Sequence, residues 1–156
     1  MMSVAQQDRI RQEIVIKAPR SKVWKALTTP AQFSQWFRAK LSATEFRVGD
    51  RVNGVSTYPG HEGKAFFLVI TEITPETDFA WKWSPGGKSA ESEEEEDPFT
   101  TVVFELEEVP GGTRVKVTES GFEHIALARR ASAFEGNTKG WEIQMKNLHD
   151  YAEQNS

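Results

Sequence analysis

One acidic residue near the end of a strand-like segment is the side chain best placed for chemistry. Val115, Val117 and Glu119 alternate along Thr113–Ser120, so Glu119 should share the inward face of a strand with two valines. A carboxyl group in that position could act as an acid, a base or a polar anchor for a ligand. The alternative is a salt bridge, or hydrogen bonds from backbone amides at the strand end, with no chemical role.

The three histidines do not form a metal-binding pattern. His61 lies in a Gly-rich turn, His124 precedes the last helical segment, and His149 lies beside the apolar stripe of that segment. No two of them are four residues apart, as adjacent ligands on one helix would be. The chain also has no cysteine, no Gly-x-Ser-x-Gly elbow and no Gly-x-x-x-x-Gly-Lys phosphate loop. We therefore expect no metal, no cofactor and no catalytic residue.

Large apolar side chains predict either an internal cavity or a filled core. As lining residues of a cavity we expect, with Glu119 as the polar anchor, Phe67, Trp81, Trp83, Phe104, Phe134, Trp141 and Met145. An empty void of ~300 Å³ would cost about 7 kcal/mol at ~24 cal/mol per Å³, which rivals the whole stability of a typical domain. The five tryptophans and ten phenylalanines favour filling, so both alternatives stay open.

The elements that would position these residues begin with a strand and two short helices. The first strand should run from about Arg9 to Lys17. Pro19 suits the first position of a helix, since its missing N–H has no helical partner there. Pro30 should end that helix, and Thr29 with Gln32 forms a capping-box pattern for a second one. The aromatic face of that second helix, including Trp36, could lie on the surface or tuck against the rest of the protein.

The middle of the chain is typical of antiparallel strands separated by turns. The expected strands are Arg51–Tyr58, Lys64–Ile73, Asp78–Ser84, Phe99–Val109 and Thr113–Ser120. Pro110, Gly111 and Gly112 join the last two as a hairpin. Between the third and fourth lies the acidic segment 91–97, which we interpret as a solvated loop with a possible gating role.

The last third of the chain predicts one long amphipathic helix of about 25 residues. Its apolar stripe is spaced alternately by four and three residues: Leu127, Ala131, Phe134, Thr138, Trp141, Met145, Leu148 and Ala152. Gly136 and Gly140 interrupt the helix, so we expect a bend, a break or a close backbone approach near them. The order of elements indicates an α+β fold, in which a curved antiparallel sheet of about six strands wraps around this helix.

Composition excludes several classes of protein. The 156 residues fit one domain, ordered over about 9–153, with ordinary hydrophobic (38%) and charged (27%) fractions. We find no apolar segment long enough to span a membrane and no signal-like N-terminus, so we expect a cytoplasmic protein. The acidic segment accounts for the net charge of −4, and no basic stripe with interleaved aromatic residues suggests nucleic-acid binding.

Several ordered motifs resemble one family. Ala18-Pro19-x-x-x-Val23-Trp24-x-Ala26-Leu27, followed by Trp36-Phe37, is similar to the opening of START-like (SRPBCC, helix-grip) proteins. The branch it resembles most is that of homologues of the activator of the 90-kDa heat-shock-protein ATPase. Further similar motifs are Val48-Gly49-Asp50, Phe79-x-Trp81-x-Trp83, Gly112-Thr113-Arg114-Val115, Glu119-Ser120-Gly121-Phe122 and Gly140-Trp141. The resemblance spans about residues 9–153 and implies a helix-grip fold with a cavity between sheet and helix.

Three functions follow from the residues and the resemblance. The first is non-enzymatic binding of a small apolar or amphipathic molecule in the cavity. The second is a co-chaperone role, in which the surface binds a heat-shock ATPase; the eukaryotic activators carry a separate N-terminal domain for this, which we expect to be absent here. The third is a cyclase or hydrolase that uses Glu119 with a histidine as acid and base. The oligomeric state and the ligand are not determined by the sequence.

Overall fold

The N-terminal part of the fold is a strand followed by two abutting helices. The computed structural model of the protein describes residues 9–83, 99–125 and 127–154. Strand β1 spans Arg9–Ile16, helix α1 spans Arg20–Thr28 and helix α2 spans Pro30–Phe37. This order is the one that the sequence predicts, and it places α2 close to the start of the next strand.

Among the described residues, six further strands complete one antiparallel sheet, and a long helix follows them. The strands are β2 (Ala39–Leu41), β3 (Arg51–Ser56), β4 (Ala65–Thr74), β5 (Asp78–Trp83), β6 (Thr100–Val109) and β7 (Gly112–Ser120). Their order across the sheet is β1-β7-β6-β5-β4-β3-β2. After a 3-10 turn at Phe122–His124, helix α3 spans Leu127–Gln154. The α+β prediction is confirmed; the additional strand, β2, has only three residues and thus no detectable alternation.

The junctions around α1 and α2 differ in detail from the prediction. Pro19 precedes α1 as its N-cap instead of forming its first turn, with an extended backbone at ψ 149°. Pro30 occupies the first turn of α2 instead. Thr29 caps α2 without any side-chain hydrogen bond, so the predicted capping box with Gln32 is absent. The Thr29 carbonyl oxygen accepts the Gln32 and Phe33 amides at 2.9 and 2.8 Å, and the Thr29 amide donates to the Lys25 carbonyl oxygen at 3.0 Å. The two amides that a capping box would pair therefore have backbone partners.

Helix α3 runs without a break past both of its glycines. A Cβ atom at Gly136 or Gly140 would have no neighbour within 4 Å, so the expected close backbone approach is not found. The predicted stripe is buried in the second half of the helix, from Trp141 to Ala152. Gln12 on β1 donates a hydrogen bond to the Thr138 carbonyl oxygen at 3.0 Å, which ties the helix to the edge of the sheet.

The core lies between the inner face of the sheet and the helices. Val115, Val117 and Glu119 of β7 are all fully buried, so the alternation along this strand predicts the inward face correctly. Phe66, by contrast with its neighbour Phe67, packs against this core. Phe67 lies on the opposite face of the sheet because adjacent strand residues point to opposite faces.

Within the described residues, no helix is both long enough and apolar enough to span a membrane.

Two glycines lead to opposite predictions for the same substitution. At Gly112 a Cβ would overlap the backbone carbonyl oxygen of Ile16, so Gly112→Ala should destabilise the protein by about 1–3 kcal/mol. At Gly140 the space is open, so Gly140→Ala should stabilise helix α3 by up to about 1 kcal/mol. Urea unfolding of both variants measures the two free energies. Equal effects in the same direction would contradict the close approach at Gly112.

Candidate functional site

In the described part of the chain, the most extensive polar arrangement surrounds the carboxyl group of Glu119. Its Oε2 accepts hydrogen bonds from Trp83 Nε1 at 2.8 Å and from Thr100 Oγ1 at 2.5 Å. Its Oε1 accepts one from Trp141 Nε1 at 2.8 Å. Asn137 Nδ2 lies 3.0 Å from both oxygens. We call Glu119 and these four donors the Glu119 cluster.

The register of the sheet brings three members of the Glu119 cluster together. Trp83 and Thr100 are cross-strand partners on β5 and β6. Glu119 on β7 is paired with Val102, which is two residues beyond Thr100 and therefore on the same face. Diagonal neighbours of this kind are within reach of long side chains. Helix α3 supplies the other two members, Asn137 and Trp141, which lie four residues apart on one helix face.

The chemistry of this cluster is that of an acceptor surrounded by donors. An indole N–H can only donate a hydrogen bond. Each of the two tryptophans can therefore pair with Glu119 only as the donor, with a carboxyl oxygen as the acceptor. The partners are side chains of neutral residues, not the salt bridge or strand-end backbone amides considered as the alternative to a chemical role. A buried carboxyl group with four donors is well satisfied, and it holds together β5, β6, β7 and α3.

A cleft of about 320 Å³ lies beside the Glu119 cluster. It is bounded by α2, the β3–β4 end of the sheet, the end of β5 and the middle of α3. Its apolar lining consists of Phe37, Ala65, Phe66, Trp83 and Ile143, and its polar lining of Ser56, Tyr58, His61, Lys64, Asn137 and Gln144. Gly136 and Gly140 complete the helix side. An adjoining recess of about 140 Å³ shares Trp83 and Gly140 and extends to Trp141.

Two of the eight residues expected to line a cavity do so here. Trp83 lines the cleft, and Trp141 lines its adjoining recess. Trp81, Phe104 and Met145 are buried in the core instead. The Trp81 ring lies 5.6 Å from that of Phe104, centroid to centroid. The middle of the space between sheet and helix is therefore filled, and the cleft lies towards one end.

The remaining expected lining residues lie elsewhere for local reasons. Phe67 is on the outer face of the sheet, where its ring is 3.9 Å from the Arg51 guanidinium. Phe134 packs edge-on against Phe122, with ring centroids 5.3 Å apart. Glu119 is fully buried behind the cleft and is not among its lining residues. Its contact with the cleft is indirect, through Trp83 and Asn137.

Sequence reasoning missed most of the wall of the cleft, although one signal was available. Gly136, Gly140 and Gln144 are spaced by four residues, as Asn137 and Trp141 are. Such spacing places small and polar side chains on one face of the helix, next to the apolar stripe. A helix face of that kind, directed at a sheet, indicates a space that is not filled by packing. For Phe37 and Phe66, in contrast, no pattern in the sequence distinguishes a residue that lines a cleft from one that is buried in the core.

The histidines lie in three different environments. His61 is exposed in the turn that lines the cleft. His124 is 3.6 Å from Glu123, and His149 lies between Asp150 and Glu153. Hydrogen bonds from Lys146 and then His149 lower the pKa of Asp150 below its ordinary value; neither His124 nor His149 lines the cleft. Among the described residues, no group of three or more His, Asp or Glu side chains is arranged to hold a metal ion.

The described side chains that line the cleft include a positive charge and no negative one. Within the described part of the chain, Lys64 is the one lysine or arginine that lines the cleft, and no aspartate or glutamate lines it. Glu62, the nearest acid in the turn, accepts a hydrogen bond from the Gly60 amide at 2.9 Å. The acidic segment 91–97, for which we considered a gating role, lies outside the described residues.

The comparison with protein families gives a match over most of the chain. A family model described as "Activator of Hsp90 ATPase homolog 1-like protein" matches residues 17–153. The match includes α1 and α2, the sheet from β2 to β7 and almost all of α3, so both the cleft and the Glu119 cluster fall inside it. No match was found among curated proteins.

Solved structures share the fold over nearly their full length. Protein MLL2253 from Mesorhizobium loti is 22% identical with a TM-score of 0.76, covering 95% of this chain and 98% of that one. Protein Ms6760 from Mycobacterium smegmatis is 18% identical with a TM-score of 0.74, covering 93% and 90%. The Aha1 dimer from Colwellia psychrerythraea is 23% identical with a TM-score of 0.68, covering 93% and 96%. At these identities the similarity establishes the fold alone.

The Glu119 cluster predicts a large loss of stability from a nearly isosteric change. In Glu119→Gln, whichever way the new amide is turned, its NH₂ group faces an indole N–H that can only donate. We expect the free energy of unfolding to fall by about 2–4 kcal/mol, since buried donors are left unpaired. Urea unfolding followed by tryptophan fluorescence measures it.

The matched control for this change is Glu107→Gln. Glu107 pairs with Arg114 at 2.7 Å, but its side chain is 65% exposed, so the loss should not exceed about 1 kcal/mol. Similar losses in both variants would mean that the hydrogen bonds to Glu119 contribute no more than a surface ion pair.

Proposed function

The chain belongs to the family of Activator of Hsp90 ATPase homolog 1-like proteins, and we propose that it binds a small apolar or amphipathic molecule. The binding site is the cleft between α3 and the β3–β4–β5 part of the sheet. The observation that carries the proposal is a cleft of about 320 Å³ with aromatic rings along one side. That volume is at the lower end of the range of small-molecule sites, roughly 300–1,000 Å³.

The lining of the cleft supports binding of a largely apolar molecule. Phe37, Phe66 and Trp83 form one wall, and aromatic side chains contribute most of the contact energy in such sites. On the helix side, Gly136 and Gly140 leave the backbone of α3 uncovered. Glycine in the middle of a helix costs about 1 kcal/mol relative to alanine. Two such residues facing the same space are explained by a requirement to keep that space open.

The Glu119 cluster has a positioning role in this proposal. Trp83, Asn137 and Trp141 each contact both the carboxyl group and the cleft or its recess. Fixed side chains reduce the entropy that is lost when a ligand binds. Glu119 therefore acts as a support behind the site instead of the direct polar anchor that we expected. Acid–base catalysis through Glu119 has no comparable support, because its described partners are all hydrogen-bond donors and none is a histidine.

A cleft-filling substitution tests the proposal. The neutral fluorescent probe N-phenyl-1-naphthylamine should bind the wild-type protein and gain fluorescence. In Gly140→Leu a bulky side chain enters the open space, so the dissociation constant should rise about tenfold or more, as overpacking costs roughly 1–3 kcal/mol. Fluorescence titration measures both affinities, and urea unfolding checks that the variant is folded.

The control for added bulk on the same helix is Ala131→Leu, since Ala131 is exposed and does not line the cleft. It should bind the probe like the wild type. If Gly140→Leu also binds the probe unchanged, the cleft is not the site. Native mass spectrometry of the purified protein, with solvent extraction, would identify any molecule that the cell has already supplied.

The family supports a second candidate function, in which the surface of the protein binds a heat-shock ATPase of the 90-kDa class. The observation that favours it is the family description over residues 17–153. Titration of the protein into such an ATPase should then change its rate of ATP hydrolysis. The same change should remain in Gly140→Leu, because surface binding does not need the cleft. An unchanged rate at saturating protein concentration would exclude this role for that ATPase.

A further inference from the structure

We infer that the ligand of the cleft is a flat aromatic compound that carries an anionic group, held with its rings against Phe37, Phe66 and Trp83 and its charge beside Lys64. The inference rests on the proposed function and adds the chemical class and the orientation of the ligand. It follows from three properties of the lining: the shape of the wall, the charge at the mouth and the position of Glu119.

The shape of the wall favours a flat molecule. The Phe37 ring lies at the centre of the aromatic side, with its centroid 5.9 Å from that of Phe66 and 6.2 Å from that of Trp83. On the opposite side is α3, where Gly136 and Gly140 leave the backbone uncovered between the side chains of Asn137, Ile143 and Gln144. A flat ring system can lie between the aromatic rings and the uncovered backbone at the two glycines.

The charge at the mouth favours an anion. The turn between β3 and β4 is held by backbone hydrogen bonds from Ser56 to Lys64 at 2.8 Å and from Gly63 to Ser56 at 2.9 Å. This turn brings Tyr58, His61 and Lys64 to the open end of the cleft, where His61 and Lys64 are exposed. All three can donate a hydrogen bond to an anionic oxygen.

One neighbouring group increases this preference. The Arg38 guanidinium lies 5.8 Å from the centre of the Tyr58 ring, which adds a second cation near the mouth. The Glu62 carboxylate of the same turn does not line the cleft and accepts the amide hydrogen of Gly60 at 2.9 Å. The described side chains at this end therefore present positive charge and donors without an opposing carboxylate in the lining.

Glu119 determines which end of the ligand carries the charge. Its carboxyl group lies directly behind Trp83 and Asn137, which line the other end of the cleft. Trp83 Nε1 and Asn137 Nδ2 already donate to Glu119 there, so these two side chains have no hydrogen bond left to offer an anionic group of the ligand. The anionic group consequently lies at the turn beside Lys64, and the rings extend towards Trp83 and the recess at Trp141.

A pair of probes with the same aromatic body tests the inference. 1-Anilinonaphthalene-8-sulfonate carries a sulfonate that N-phenyl-1-naphthylamine lacks. We expect the anionic probe to bind more tightly, and added salt to weaken its binding selectively. In Lys64→Gln its dissociation constant should rise about fivefold, the upper end for an ion pair open to water, while that of the neutral probe stays the same.

The control for loss of a surface lysine is Lys25→Gln, since Lys25 is exposed on α1 and does not line the cleft. It should leave both probes unaffected, and Gly140→Leu should weaken both. Equal affinities for the two probes, with Lys64→Gln unchanged, would overturn the inference and leave the proposed function intact. Binding of both probes that is insensitive to Gly140→Leu would overturn the two together.

Discussion

The structure depends on one buried carboxyl group that must be paired. Burial of Glu119 without partners would cost several kcal/mol, and the fold supplies four donors from three secondary-structure elements besides its own strand. Because those donors belong to β5, β6 and α3, their hydrogen bonds fix the distance between the helix and the sheet. The same bonds orient Trp83, Asn137 and Trp141, which also form part of the cleft. Stability and the shape of the site thus have a common origin.

The space between the sheet and helix α3 is filled in one part and open in another. Around Trp81 and Phe104 large rings occupy the space between sheet and helix, as the aromatic content suggests. At Gly136 and Gly140 the helix presents no side chains, and the space beneath stays open. Close packing is the usual state of a protein interior. An open region next to a rigid polar cluster is therefore the part of this fold most suited to a ligand.

Much of the fold could be predicted from local patterns. The break at Pro30, the alternation in β5 and β7 and the stripe from Trp141 to Ala152 each reflect a constraint within a few residues. The three-residue β2 was missed, because so short a segment has no period. Phe67 was expected to line the space under the helix but is buried on the outer face of the sheet, because β4 is apolar on both faces and alternation alone does not tell which face is inner. The capping box at Thr29 was wrong because both amides that it would pair already have backbone partners: the Gln32 amide donates to the Thr29 carbonyl oxygen and the Thr29 amide to that of Lys25.

The sequence by itself determined that Glu119 points inward, since a strand directs every second residue to one face, and that the chain has an α+β fold of the helix-grip type. The tertiary structure alone decided what Glu119 meets there. Its donors lie from 18 to 36 residues away in the chain, and their meeting depends on strand register and on how α3 rotates over the sheet. Local periodicity contains neither quantity. For the same reason the cleft beside Lys64 and Gly140, formed by segments far apart in the chain, became visible only in the folded protein.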